Sequence, residues 1–168
     1  MPDPKQLRIL KKLTAHLEVT SGYGTEEEPL KVFRGKSVIT AKEAEDCLSI
    51  LEAPRPIVGE PAGEMGLRRK ETWTLLVQGW PKEDTANPSD PAYLMKAAVE
   101  QHLSLIVAEH PDGRRRDDDL YRLGGDIASM IIGQGVVRPP SEEGASRLAM
   151  FYLPLYLEIT TNVVDPYA

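Results

Sequence analysis

Leu67-Arg68-Arg69-Lys70-Glu71-Thr72-Trp73-Thr74-Leu75-Leu76-Val77-Gln78-Gly79 decides the fold. Trp73, Leu75 and Val77 fall on one side of an extended chain, with Thr72, Thr74, Leu76 and Gln78 on the other. That period of two marks a long strand with one buried face, and Trp80-Pro81 closes it. A second stretch of this kind, Leu148 to Val164, sets Leu153, Leu155, Leu157 and Ile159 against Tyr156, Glu158 and Thr160. Pro154 inside it predicts an edge position or a bulge, because proline donates no ladder hydrogen bond.

Working outward, Asp3-Pro4 offers a cap with proline at the first helical position, and Leu7, Leu10, Leu13 and Leu17 then recur at helical spacing. Ser21-Gly22-Tyr23-Gly24 stops this helix, and Glu26-Glu27-Glu28 before Pro29 reads as a solvated turn. Strand character follows at Leu30, Val32 and Phe33. Thr40 and Glu43, three apart, form a capping box that predicts a short helical turn over Ala44 to Cys47, before a strand from Leu48 to Glu52. Ser89-Asp90-Pro91 opens a second long helix that carries Leu94, Ala97, Ala98 and Leu105 on one stripe and Met95, Val99 and Ile106 on another. Its end is expected near Glu109-His110-Pro111. Ile127 to Ile132 and Val136-Val137 read as further strands, broken at Gly133-Gln134-Gly135. Two connections stand out, 54–66 rich in Gly and Pro and 109–126 rich in charge, and both are expected to be long mobile loops. The order predicts one α+β domain over residues 1–168, a mostly antiparallel β-sheet with two main helices packed on one face.

Composition narrows the function. The chain has 168 residues, 41% of them in the apolar set AVILMFWYC, which suffices for a single core. A net charge of −6 disfavours a protein that wraps duplex DNA by neutralising phosphates. Cys47, the single cysteine, permits neither an intramolecular disulfide nor a multi-thiolate zinc site. The longest apolar run, Leu148 to Leu157, is half of the roughly 20 residues a spanning helix needs, so no membrane contact is expected. The opening Met1-Pro2-Asp3-Pro4-Lys5-Gln6 lacks a hydrophobic signal core, and no targeting segment is predicted.

Motifs for catalysis and cofactors are weak throughout. Gly22-x-Gly24 and Gly133-x-Gly135 lack the third glycine of a phosphate-cradling loop, and no serine sits in a nucleophile elbow. His16, His102 and His110 have no zinc-ligand spacing, and His16 and His102 are expected as packing residues on helices. Cys47 beside Leu48 and Ile50 reads as a small buried hydrophobe, although a Cys47–His pair is the first enzyme alternative and a cation at Asp117, Asp118 and Asp119 the second. Arg114, Arg115 and Arg116, followed directly by those aspartates, read as a self-neutralising loop, with nucleic-acid binding as the sharper alternative. Trp73 is expected in the core. Trp80, Phe151, Tyr152 and Tyr156 are interface candidates, because Trp and Tyr are favoured there.

The order of these pieces resembles the bacteriophage tail terminator proteins, minor tail proteins that cap the tail tube. The likeness rests on the N-terminal helix leading to Val32-Phe33-Arg34-Gly35, on Leu48-Ser49-Ile50-Leu51-Glu52 running into the Pro/Gly loop, on Trp73 to Gly79, on Asp90-Pro91-Ala92-Tyr93, and on Phe151 to Glu158. The resemblance implies a structural virion protein at the head-proximal end of the tail, assembled in the host cytoplasm, with no catalysis, cofactor or metal. Its partners would be five further copies of itself in a homohexameric ring, the major tail tube protein, and the head-tail connector or neck protein. Genome DNA would pass through the lumen without specific binding: six copies at −6 each carry −36, and an acidic lumen repels it. On this reading Trp80, Arg55, Glu60, Phe151, Tyr152 and Tyr156 are placed at interfaces, and Arg114, Arg115, Arg116, Asp117, Asp118 and Asp119 on a lumen-side loop near DNA. The C-terminal strand is expected to offer a free edge to the neighbouring subunit. The alternative is another neck, head-tail joining or tail-completion adaptor.

Overall fold

A computed structural model describes residues 1–40, 43, 45–53, 67–140 and 148–168. Among them lie two helices, α1 (Lys5–Glu18) and α2 (Asp90–Ser104), and strands β1 (Lys31–Arg34), β2 (Cys47–Glu52), β3 (Arg68–Trp80), β4 (Ser129–Ile132), β5 (Val136–Arg138) and β6 (Met150–Asn162). They form one six-stranded sheet in the order β1-β2-β3-β6-β4, with β5 also paired to β6. Only β1 and β2 run parallel; β2–β3, β3–β6, β4–β6 and β5–β6 are antiparallel. The expected α+β architecture, helices packed on a mostly antiparallel sheet, is the one observed.

The register explains the core. Trp73, Leu75, Val77 and Gly79 of β3 stand opposite Leu157, Leu155, Leu153 and Phe151 of β6. Leu48 and Ile50 of β2 join Gly79 and Val77 on that face. Onto it α1 buries Ile9, Leu13 and Leu17, and α2 buries Met95, Val99 and Leu103, in one continuous apolar cluster. At about 25 cal/mol per Å² of apolar surface removed from water, this layer dominates the favourable free energy of folding. Gly79 is needed within it, because a Cβ there would overlap the Phe151 ring.

Several expectations are corrected. Pro4, not Asp3, is the N-cap of α1, and no side chain caps that end; Asp3 instead accepts from Lys11 Nζ at 2.7 Å. The buried stripe of α1 runs through Ile9, Leu13, Thr14 and Leu17, leaving Leu7 exposed. On α2 the stripe of Ala92, Met95, Val99 and Leu103 is buried and Leu94 faces outward; the helix ends at Ser104, earlier than expected. Glu43 does reach back, accepting from Thr40 N at 3.0 Å and Thr40 Oγ1 at 2.8 Å. Of the helical turn expected after it, Ala44 lies outside the described residues, while Cys47 already opens β2.

Pro154 sits in a central strand, not at an edge. It stands opposite Leu76 of β3, and its carbonyl accepts from Gly133 N at 2.8 Å. A residue's N and C=O point to the same side of a strand, so the missing N–H faces the interruption between β4 and β5. There the register advances from Ile132↔Leu155 to Val136↔Tyr152, so three residues, 133–135, oppose two of β6. That is a one-residue bulge, and it is the alternative that the proline predicted. β6 is paired on both sides from Phe151 to Glu158, so the C-terminal strand is not the edge strand expected; among the described residues only its end, Ile159 to Asn162, is unpaired on the β4 side, and the outer strands of the sheet are β1, β4 and β5.

Candidate subunit interface

Alternation along β3 and β6 sends the aromatic candidates to different places. Phe151 points to the helix side and is fully buried. Trp80 points to the opposite side, beside its register partner Cys47, and is also buried, at 2% exposure. Both are therefore withdrawn as interface residues: their area is already spent inside the subunit. Tyr152 and Tyr156 emerge on the sheet face away from the helices, Tyr152 half-buried and Tyr156 39% exposed. Arg55 and Glu60 lie outside the described residues.

Around Tyr156 the outer face is apolar. Ile131 is its register partner and is 64% exposed, and Val136, partner of Tyr152, is 50% exposed. Pro154 lies between the two tyrosines. Gly133 makes the patch continuous, since a Cβ at that position would come within 2.7 Å of Pro154 Cγ and 2.9 Å of Tyr156 Cε2. The patch borders the edge of β4, which is unpaired among the described residues, and an exposed apolar edge strand is a surface for pairing with another chain. Ile131 and Val136 were missed from sequence because both faces of Ile127 to Ile132 are apolar, so alternation there does not say which face is covered. The one available signal was the Gly133-Gln134-Gly135 break.

Further along the same face Ser49 and Gln78 are register partners on β2 and β3, both buried, and among the described residues neither Ser49 Oγ nor Gln78 Oε1 has a hydrogen-bond partner. Cys47 shares this side. Burial pushes its thiol up to about 11, which keeps it protonated and poorly nucleophilic. His16 and His102 lie on the other side of the sheet, between the helices, so neither pairs with Cys47. They stack on each other with ring centroids 4.0 Å apart, and each Nε2–H donates to the other's backbone carbonyl at 2.7 Å. A carbonyl can only accept, which fixes both Nε2 as donors. Burial, with the neighbouring His102 ring adding to it, holds the His16 pKa below its usual value. Both rings thus serve as packing residues that clamp α1 to α2.

The charged segment 109–126, expected as a self-neutralising mobile loop, is held by specific contacts. Arg116 pairs with Asp118 at 2.7 Å and donates to the carbonyls of Leu105 and Ala108, the end of the α2 region. Asp118 Oδ1 in turn accepts from Leu120 N at 3.1 Å and Tyr121 N at 2.8 Å, capping the 3-10 turn Tyr121–Leu123. The hydrogen bonds from Arg116 hold the Asp118 carboxyl below its usual range. Arg114 pairs with Asp112, while Arg115, Asp117 and Asp119 are exposed. Arg122, Leu123, Gly124 and Gly125 then take four successive positive φ angles, 51°, 53°, 68° and 86°. For the two non-glycine residues this costs about 1–2 kcal/mol each. Anchors from α1 offset it: Lys12 Nζ donates to Leu123 O and to Asp126 Oδ2, each at 2.7 Å, and Arg8 Nη2 to Asp126 Oδ1 at 2.8 Å. Burial raises the Asp126 carboxyl, but these bonds outweigh it and hold it low. The segment therefore plugs the helix layer.

Among the described residues no three His, Cys, Asp or Glu side chains converge as a metal site, and no helix is long and apolar enough to cross a membrane. An open cleft of about 410 Å³ lies beside the start of β1, lined by Tyr23, Leu30, Lys31, Glu45, Asp46 and Lys82. It mixes both charge signs. The chain matches no protein-family model and no curated protein.

Proposed function

We propose that this chain is a structural subunit that forms a six-membered ring capping a phage-type tail tube, ends tube polymerisation and joins the tail to the head-side connector. The observation that carries the reading is the apolar patch of Ile131, Val136, Tyr152, Pro154 and Tyr156 beside the free edge of β4. A chain that gathers exposed apolar side chains at one end of the sheet face away from its helices presents a contact for another protein surface. The order of elements that resembles tail terminators supplies the kind of partner: further copies, the tail tube protein and the connector. DNA then traverses the ring without specific binding, because the acidic chain repels it.

Negative-stain electron microscopy of the concentrated protein, alone and mixed with purified tail tubes, tests this. Closed rings with an open centre, or density added to tube ends, support it. A chain that forms no ring and leaves tube ends bare overturns it, and binding to a portal or connector without tube binding selects the neck-adaptor alternative.

A further inference from the structure

A cluster of three cations and a cluster of three carboxylates lie at opposite ends of the sheet. β3 and β6 stay paired through 12 residue pairs, from Arg68↔Asn162 to Gly79↔Phe151, a ladder roughly 40 Å long at about 3.3 Å per residue. β2 leaves β3 at Glu52↔Leu75, and β4 covers only Leu155 to Glu158 of β6. Among the described residues, Arg68 to Glu71 and Ile159 to Asn162 therefore run on as a two-stranded ribbon. Arg68, Arg69 and Lys70 are exposed on it, and their cross-strand partners, Asn162, Thr161 and Thr160, are uncharged. Lys5 of α1 joins Arg68 at a cleft there, which the C-terminal Ala168 also lines.

At the other end the turn before β1 exposes Glu26, Glu27 and Glu28. Lys31 pairs with Cys47, and Cys47 with Trp80, which places this turn at the far end of the ladder from the ribbon. Among the described residues none of Arg68, Arg69, Lys70, Glu26, Glu27 and Glu28 takes part in an ion pair. Three adjacent like charges on each end repel one another, and an opposing surface relieves that cost.

We propose that the basic ribbon of one copy docks on the acidic turn of the next, head to tail. A heterologous contact needs two different complementary patches on every copy, both still available after one is used; this chain carries three cations and three carboxylates at opposite ends. Phosphate backbone is the less favoured occupant, because the exposed ribbon carries no aromatic side chain for base stacking and the chain as a whole is at −6. The inference rests on the ring reading, whose subunit contact it locates, and it leaves the apolar patch at β4 for the tube or connector.

Charge reversal tests it. Sedimentation velocity on the full chain at about 50 mM salt, where exposed charges are weakly screened, is expected to show oligomers that dissociate at about 500 mM. The triple variant Arg68→Glu, Arg69→Glu, Lys70→Glu and the triple variant Glu26→Lys, Glu27→Lys, Glu28→Lys are each expected to lose association by at least about tenfold. Circular dichroism confirms that these surface variants fold, and the neutral Arg68→Gln, Arg69→Gln, Lys70→Gln form gives an intermediate loss. An equimolar mixture of the two reversed variants restores oligomers, since each reversed ribbon meets a reversed turn. Wild-type association in either reversed variant alone, no rescue in the mixture, or a monomeric wild type at low salt overturns the proposal. So does binding of a DNA duplex that only the ribbon reversal abolishes. Tail-tube capping by the reversed variants removes this contact while leaving the ring reading standing, so the two failures are told apart.

Discussion

The two faces of one sheet are built from alternate residues of the same strands, yet they have different fates. Trp73, Leu75, Val77, Leu153, Leu155 and Leu157 meet two helices and vanish into the core. One residue away, Thr72, Thr74, Leu76, Tyr152, Pro154 and Tyr156 face the side that no helix covers. The difference teaches that apolar content is not what separates core from surface here. What separates them is whether the chain has a second layer to lay on that face. Both long helices go to one side, and Ile131, Val136 and Tyr156 remain exposed on the other.

The sharpest way to break the comparison is a deletion on the covered face. Trp73→Ala removes the largest side chain that β3 buries under the helices and is expected to cost about 3–5 kcal/mol in urea unfolding; a loss below about 1 kcal/mol would mean the helix layer is loosely seated. Next comes the tie between α1 and the plug. Asp126→Ala leaves Arg8 and Lys12 without their shared acceptor and is expected to cost about 1–3 kcal/mol, read by the same method. In the wild type this contribution is present above the ordinary Asp range and is lost as pH falls through the lowered pKa of Asp126.

The His16–His102 stack makes a smaller and pH-specific prediction. Because the His16 pKa is depressed by burial, the unfolded chain binds more protons below its own value of about 6.5. Stability is then full above that pH and declines as pH drops below it. His16→Gln keeps a side-chain donor and is expected to flatten the thermal-unfolding profile between about pH 7 and 5.5; an unchanged slope would remove His16 as its source. On the face away from the helices, Ile131→Lys is expected to change stability by less than about 0.5 kcal/mol while abolishing tube or connector binding in the electron microscope. A large stability loss would show that this face is already covered. The smallest effect is expected at Ser49→Ala: its Oγ is buried without a partner, so removal is neutral or stabilising by under about 1 kcal/mol in the same denaturant assay.

Much of this was legible from the residues. Strict alternation over Thr72 to Gln78 and Leu153 to Ile159 can be satisfied only by strands with one apolar face, and the two proline-initiated helices are equally local in origin. The candidate site was less so. Trp80 and Tyr156 are both aromatic residues on the uncovered side of adjacent strands, but one is buried and the other open, because burial depends on what else packs over each end of the sheet. The Arg114–Asp119 block looks self-neutralising as a string; only the meeting of Arg116 with the Leu105 and Ala108 carbonyls just past α2, and of Asp126 with α1, turns the segment into a plug.

Sequence alone determined the α+β class, the long strands and the two helices, because each follows from periodicity; for Pro154 it left an edge position or a bulge, and the pairing of β6 with β4 and β5 selects the bulge. Tertiary structure alone decided that the C-terminal strand lies at the centre of the sheet, that Ile9 and Met95 lead the buried helix stripes, and that Ile131 and Tyr156 share an open patch. Strand order, helix rotation and residual exposure are set by contacts between segments 20 to 120 residues apart in the chain. Such contacts leave no periodic trace in the residues that make them.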